Sequence, residues 1–489
     1  MATAAANVAA LWSGRYLPFT DLPQHAAAIG TLRHFSDPAW HVREYFELAL
    51  GRSQYLLYYL AGAAIAFPLG NAERANLALL SLVAIAFPWS LRSLLRALAA
   101  DERLALFAAP LFWSQSLLIG FFNYLAALPL LLWALALSVR EAEAPSPRRT
   151  MVLALAALAL FYLHLSAFLL FAPCAAIAAF ALGPRTLAAT ARRLLWAAPA
   201  ALCAVLFLAA SPVVHPESVG WNEPVAASWE PIGDALRKLP DALLDIWPGP
   251  TDEWILLALI ACAALLAWPG QRPAESPLRR TVVAAWLAIA ALLYLFFPVQ
   301  IGWLWQLNER YAIAFALLAP LLLRPGAGWR GAAPLAAVAL AGFMSAGVAR
   351  QQIRAFNAEV DGFDRVLPAA RPGQRLIALI YERDSRAARF SPYLHFGSYY
   401  RARGGGVASF SFAELPQSPL RYRPENAPPR HPAHWEWEPW QFDNTVDGAW
   451  YDYVLVRGLV DPFARPNRGP SWRRIAHEGI WSLYAKEAR

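Results

Sequence analysis

Asp21 and His25 stand four residues apart, a spacing that on a helix puts a carboxylate and an imidazole on one face. Pro23 suits a first helical turn, so the sequence predicts a helix starting near Asp21. Such a pair can act on one substrate proton or converge on one metal ion; the competing reading makes Asp21 a helix N-cap and His25 an interfacial side chain. His164 lies in a run, 151–184, with no formal charge, where an ionisable group is costly and therefore a functional candidate. Closing a turn is its plainer role. Arg310 stands at the head of the apolar run 311–323, where its planar fork suits a phosphate, although many arginines at such positions only anchor a helix at the interface.

Other chemistries are poorly supported. Gly404, Gly405 and Gly406 follow Arg403 without the strand-to-helix spacing of a phosphate loop and read as a turn. The sequence contains no Gly-x-Ser-x-Gly elbow and no His-Glu-x-x-His pair. Cys174, Cys203 and Cys262 are odd in number and sit inside apolar runs, which predicts neither a disulfide nor a metal framework. The net charge of +8 comes from arginines scattered over many loops, a distribution that argues against a nucleic-acid partner.

The elements that must position these residues are membrane spans. Apolar residues make up 58% of the 489 positions and charged residues 16%, more apolar surface than one soluble core needs. Apolar runs at 75–91, 104–119, 121–139, 194–211, 254–268, 281–297 and 331–349 approach the length of about 20 residues that crosses the hydrocarbon. As one helix, 151–184 would be about 50 Å long, so it reads as a broken pair with its turn near His164. With 311–323 accepted as a short span, the count is roughly ten. The arginine-bearing loops then all fall on the cytoplasmic side. Residues 13–54 and the acidic loop 212–253 fall outside, and 55–69 reads as an interfacial or re-entrant helix. Residues 2–12 lack a preceding basic residue and do not read as a signal peptide; they are the stub of a first span, or that span is missing. Alanine with arginine almost to the exclusion of lysine is the usage of a GC-rich bacterial genome, by association only.

Past residue 350 the pattern changes. Ile353, Phe356, Val360, Phe363 and Leu367 follow a helical period, and strand-like runs occur at 375–381, 407–412, 451–456 and 479–484. The expectation is a polytopic helical bundle, 1–349, with a small extracytoplasmic α/β domain, 350–489. The proline-rich stretch 415–444 holds Trp435, Trp437 and Trp440, side chains that can stack on sugars or simply pack the domain.

Four stretches resemble the GT-C superfamily of integral membrane glycosyltransferases, which take sugars from polyprenyl-phosphate carriers at the outer face. "PFTDLPQHAAAIGTL" looks like that superfamily's first outer loop, with Asp21 in place of its acidic base or metal ligand. "SQYLLYYLAGAAIAFPLGNAERANLALLSL" is similar to its interfacial helix and first return helix. "LALFYLHLSAFLLFAP" resembles the hairpin whose basic residue meets the carrier phosphate, His164 standing where lysine is usual, and "NERYAIAFALLAPLLL" sets Arg310 near the same phosphate. At "GFFNYLAALP" the superfamily often has a second acid; this chain has Asn123. The phrases "GFFNY" and "YDYVLVRG" point to an uncharacterised bacterial branch.

The resemblance implies transfer of a sugar from a polyprenyl-phosphate donor to an envelope glycan, lipid or protein, with inversion, at the bacterial inner membrane. Asp21 accepts the proton, and His25 orients Asp21 or joins it at a divalent metal, with no tightly held metal expected. His164, Arg310 and Asn123 face the substrate. A non-enzymatic lipid or polymer carrier and an envelope assembly scaffold are the alternatives.

Overall fold

The computed structural model describes residues 1–210, 226–267, 276–302, 304–415, 417–432, 434–464 and 468–487. Part of the expected acidic loop, 212–225, lies outside the described residues, as does Arg272. The chain forms two compact units, each assembled from separate stretches of sequence. One contains Met1–Leu11, Leu80–Leu117 and Phe121–Arg350; the other contains Trp12–Leu79, Leu118–Gly120 and Gln351–Arg489.

The first unit is helical. Across the described residues, four helices are long and apolar enough to cross a membrane: Ala72–Ala97, Phe122–Glu143, Pro277–Phe296 and Trp329–Glu359. A fifth span results if Leu187–Arg193 and Leu195–Ala210, bent by 44° at their junction, are taken together. This is a multi-pass membrane protein, with fewer full-length helices than the roughly ten spans the apolar runs predict. The difference has local causes. Residues 104–119 form no single helix but a 3-10 turn, Glu102–Phe107, and two short helices, Ala108–Leu111 and Gln115–Ile119. Pro110 within this stretch removes a backbone donor. Arg310–Leu318 tightens into a 3-10 turn at Ala319–Leu322, where Pro320 interrupts the ladder.

The charge-free run breaks at His164, whose extended backbone (φ −165°, ψ 124°) separates Pro147–Leu163 from Leu165–Ala181. Leu165–Ala181 packs on Phe122–Glu143 and on Pro277–Phe296. A buried tryptophan fastens the last contact: the Trp286 indole donates to the Cys174 carbonyl at 2.7 Å, so its polar atom is satisfied away from water.

The second unit is built on a five-stranded mixed sheet: β1 (Arg375–Ile380), β2 (Val407–Ala408), β3 (Tyr453–Arg457), β4 (Trp472–Glu478) and β5 (Trp481–Lys486), in the order β2-β1-β3-β5-β4. β1 is parallel to β2 and β3, while β5 is antiparallel to β3 and β4. The unbroken apolar run of β1 suits a central strand covered on both faces. Ile377, Leu379, Val454, Val456 and Tyr484 form the core, and Trp435 joins it. For Trp435 the packing role is therefore the observed one. β4, with three charged residues among seven, carried no alternation from which to predict it.

The segment Trp12–Leu79 packs into this same unit. Its helix Leu22–Arg33 lies against Ser398–Gly404, where a Cβ on Gly30 would stand 3.0 Å from the Ala402 carbonyl oxygen. Phe46–Leu48 pairs antiparallel with Leu420–Tyr422. An ionic knot closes the arrangement: Arg403 donates to both carboxylate oxygens of Glu73 at 2.6 and 3.1 Å, to Asp364 at 3.1 Å and to the Tyr16 hydroxyl at 2.8 Å. Removing one member of a largely buried set strands the others. Arg403→Gln is therefore expected to cost about 2–4 kcal/mol, read as a lowered Tm of the purified chain; an unchanged Tm would contradict this role.

Candidate functional site

Asp21 is held by its backbone before its side chain is considered. The Thr20 and Asp21 amides donate to the carbonyls of Leu118 and Ile119 at 3.0 Å each. Next along is Gly120, at φ +106°, where an added Cβ would come within 2.6 Å of the Asp21 Cβ. Only glycine accommodates that approach together with that backbone angle. The helix Leu22–Arg33 then starts as the sequence predicts, with Pro23 in its first turn. Asp21 occupies the N-cap position, but its side chain makes no capping bond. Instead its Oδ1 lies 2.9 Å from Nδ1 of His395.

His25, one turn further on, has its Nε2 2.8 Å from the Gly120 carbonyl oxygen, so Nε2 carries the proton and donates. The ring stacks on Tyr59 and meets the edges of Tyr58 and Phe412. Burial pushes its pKa down to about 4, against the opposing pull of the Asp21 charge. His25 is thus a neutral clip holding Gly120 against the start of the helix. A divalent ion fits this donor set poorly, because Nε2 is engaged with a carbonyl and Asp21 with His395. Among the described residues no group of three or more His, Cys, Asp or Glu side chains is placed to hold one.

His395 was not singled out by sequence reasoning. It lies in the segment that leaves the carboxyl end of β1 and leads into Ser398–Gly404. The chain passes from β1 to β2 on one side and places β3 on the other, so His395 follows the strand where the order reverses, a position at which α/β sheets bind ligands. Its position after a predicted apolar strand was the available sign. The ring is buried and stacked on Phe410, and its Nε2 has no hydrogen-bond partner among the described residues. Gln24 holds that wall in place, donating to the Phe410 carbonyl at 2.5 Å and accepting from the Phe412 amide at 3.3 Å. Glu436 lies close by, its pKa raised by burial and drawn back by the charge of His395.

The other two predicted cationic groups meet in the first unit. His164 Nε2 is 3.1 Å from an Nη1 of Arg310, and both side chains are buried. Nδ1 of His164 accepts from the Ser166 amide at 3.1 Å. A neutral ring with Nδ1 accepting carries its hydrogen on Nε2, so two donors, the Nε2–H and the guanidinium N–H, face each other. The guanidinium lies 4.3 Å over the Phe121 ring and donates to the Trp305 carbonyl at 3.3 Å, while its Nε is buried without a hydrogen-bond partner among the described residues. Arg310 is also the first residue of the helix Arg310–Leu318, an end whose partial positive charge disfavours a cation. An anionic oxygen accepts from every one of these donors. Asn123 is buried nearby in sequence to Tyr124, whose ring edge meets His164 and whose hydroxyl donates to the Arg310 carbonyl at 2.5 Å. The Asn123 Oδ1 has no hydrogen-bond partner among the described residues and so is not bonded to His164 or Arg310.

No protein-family model matches the chain, and no curated protein matches it by sequence. Solved structures do. The oligosaccharyltransferase of Archaeoglobus fulgidus, in a complex with zinc and sulfate, aligns at 13% identity with a TM-score of 0.42 over 90% of this chain. The alignment spans 64% of that protein. The oligosaccharyltransferase AglB of the same organism, bound to an inhibitory peptide and a dolichol-phosphate, aligns at 12% identity with a TM-score of 0.41, over 93% of this chain and 69% of its own.

Two outcomes test this geometry. Gly120→Ala should destabilise the chain by about 1–3 kcal/mol, since a β-carbon there meets Asp21 in a strained backbone region; a neutral substitution would mean the contact is not as close as described. His25 binds its proton less readily when folded than when unfolded, so its contribution is complete above about pH 6.5 and is lost as pH falls towards 4. The Tm advantage of the wild type over His25→Gln should therefore shrink between pH 7 and pH 4.5, and a constant difference would show that His25 titrates normally.

Proposed function

We propose that the chain is an integral membrane glycosyltransferase that moves a sugar from a polyprenyl-phosphate donor to an acceptor hydroxyl or amine. The observation that carries this reading is the opposition of donors at His164 and Arg310. A buried guanidinium and an imidazole N–H directed at one another, beside a helix N-terminus, favour a phosphate oxygen over any neutral occupant.

Such a transfer sets two tasks. One is to take a proton from the acceptor as its oxygen or nitrogen attacks the anomeric carbon; Asp21 is assigned this role, with His395 fixing the carboxylate and His25 holding the backbone that orients it. The other is to hold the phosphate as the anomeric carbon–oxygen bond breaks and the electron pair leaves with that oxygen. Arg310 and His164 are assigned this one, and Asn123 offers a carboxamide to the donor. The extra negative charge on the departing phosphate is what their N–H groups stabilise. Inversion at the anomeric carbon follows from a single displacement. An outer-face site at a bacterial inner membrane, with an envelope glycan, lipid or protein as acceptor, completes the proposal.

Release of polyprenyl phosphate from a lipid-linked sugar by the purified chain tests it. Asp21→Asn should lower kcat by at least about 100-fold with little change in donor KM and no change in Tm. His395→Asn, which removes the ring beside the Asp21 carboxylate, should lower kcat less. Unchanged turnover in Asp21→Asn removes the assignment of the base, and no release by the wild-type chain leaves a carrier or a scaffold.

A further inference from the structure

The first unit has a second feature with its own chemistry. A groove of about 640 Å³ lies between the carboxyl-terminal half of Ala72–Ala97 and the face of Phe122–Glu143 that runs from Ala126 to Arg140. That volume is in the range of small-molecule sites, about 300–1,000 Å³. Its walls carry two indoles, Trp89 and Trp133, and three guanidiniums, Arg92, Arg96 and Arg140. The two helices repeat one pattern. Trp89 precedes Arg96 by seven residues, and Trp133 precedes Arg140 by seven. Seven residues are close to two helical turns, so each pair shares a face, with the arginine about 10 Å beyond the tryptophan.

The charges do not cancel. Glu102 accepts from Arg92 Nε at 2.6 Å and from Arg96 Nε and Nη2 at 2.8 and 2.9 Å. One carboxylate, bonded to Arg92 and Arg96, therefore stands against three guanidiniums, and the groove keeps a net charge of two positive. Arg140 donates to the Ser93 carbonyl at 3.3 Å, which ties the second helix to the first at this level. Trp89 and Trp133 are 47% and 36% exposed, and Leu82 and Ile85 are the two exposed residues that most closely precede Trp89 on its helix, so the indoles continue an apolar surface that lipid would touch. Indoles favour the edge of the hydrocarbon and guanidiniums the phosphate layer just beyond. The separation of about 10 Å along each helix matches that boundary.

We propose that this groove is a binding site for an anionic phospholipid of the leaflet at the arginine-rich helix ends. The headgroup phosphate sits among Arg92, Arg96 and Arg140, and the start of the acyl chains lies against Trp89 and Trp133. The site is independent of the transfer reaction, because none of the residues assigned to that reaction lines it. A soluble phosphate lacks the apolar half of the site, and a zwitterionic lipid adds a positive group where three guanidiniums already stand.

Native mass spectrometry of the full chain in neutral detergent tests the assignment, titrating phosphatidylglycerol and phosphatidylcholine of identical acyl chains. The wild type should hold phosphatidylglycerol about tenfold more tightly, as several charge-assisted hydrogen bonds would give. Arg96→Gln with Arg140→Gln should reduce that preference to about twofold, while Arg185→Gln with Arg192→Gln, outside the groove, should leave it intact. Trp133→Ala should weaken both lipids. A matching Tm for each variant establishes that the fold is retained. Equal affinity for the two lipids in the wild type, or a preference that survives the Arg96 and Arg140 changes, would overturn the proposal. Displacement of the lipid by millimolar glycerol phosphate would equally overturn it, in favour of a soluble anion.

Discussion

The structure turns on one unfavourable opposition, an imidazole N–H and a guanidinium N–H directed at each other in a buried place. Two N–H groups directed at each other repel, and a buried cation at a helix N-terminus adds to that cost. A chain retains such an arrangement when a third group relieves it. The tautomer is what sharpens the point: because Ser166 donates to Nδ1 of His164, the ring cannot also accept from Arg310 at Nε2. Helix geometry enforces this, since His164 is the break between two helices and Ser166 is among the first residues of the second.

The second unit solves a different problem, how to keep a carboxylate from serving only as a helix cap. Gly120 makes room, the amides of Thr20 and Asp21 fix the turn against Leu118 and Ile119, and His25 secures the glycine through its carbonyl. The Asp21 oxygen is then free to meet a histidine from a segment more than three hundred residues away in sequence. Burial of His25 matters here because a neutral ring adds no competing charge beside Asp21.

Much of this was legible in the residues. The break at His164 followed from a charge-free run too long for one span, and the helix at Asp21 from Pro23 and a four-residue spacing. β1 and β3 were visible as apolar runs because central strands bury both faces. The less visible features depend on long-range contacts. β4 is polar along much of its length, and His395 acquires meaning only once the strand order is known. The continuous helix Trp329–Glu359 shows the same limit: its apolar first part and polar second part read as separate elements, although nothing in the backbone interrupts them. Hydropathy does not register where Pro110 and Pro320 interrupt a helix, so the runs 104–119 and 311–323 read as spans although neither is one continuous α-helix.

The most direct measurement is the affinity of the purified chain for a polyprenyl monophosphate, followed by isothermal calorimetry, in the wild type, Arg310→Gln and His164→Phe. Each substitution should weaken binding by about tenfold or more, and the corresponding polyprenol, which lacks the phosphate, should bind all three alike. Equal affinities for the phosphate in wild type and Arg310→Gln would contradict it.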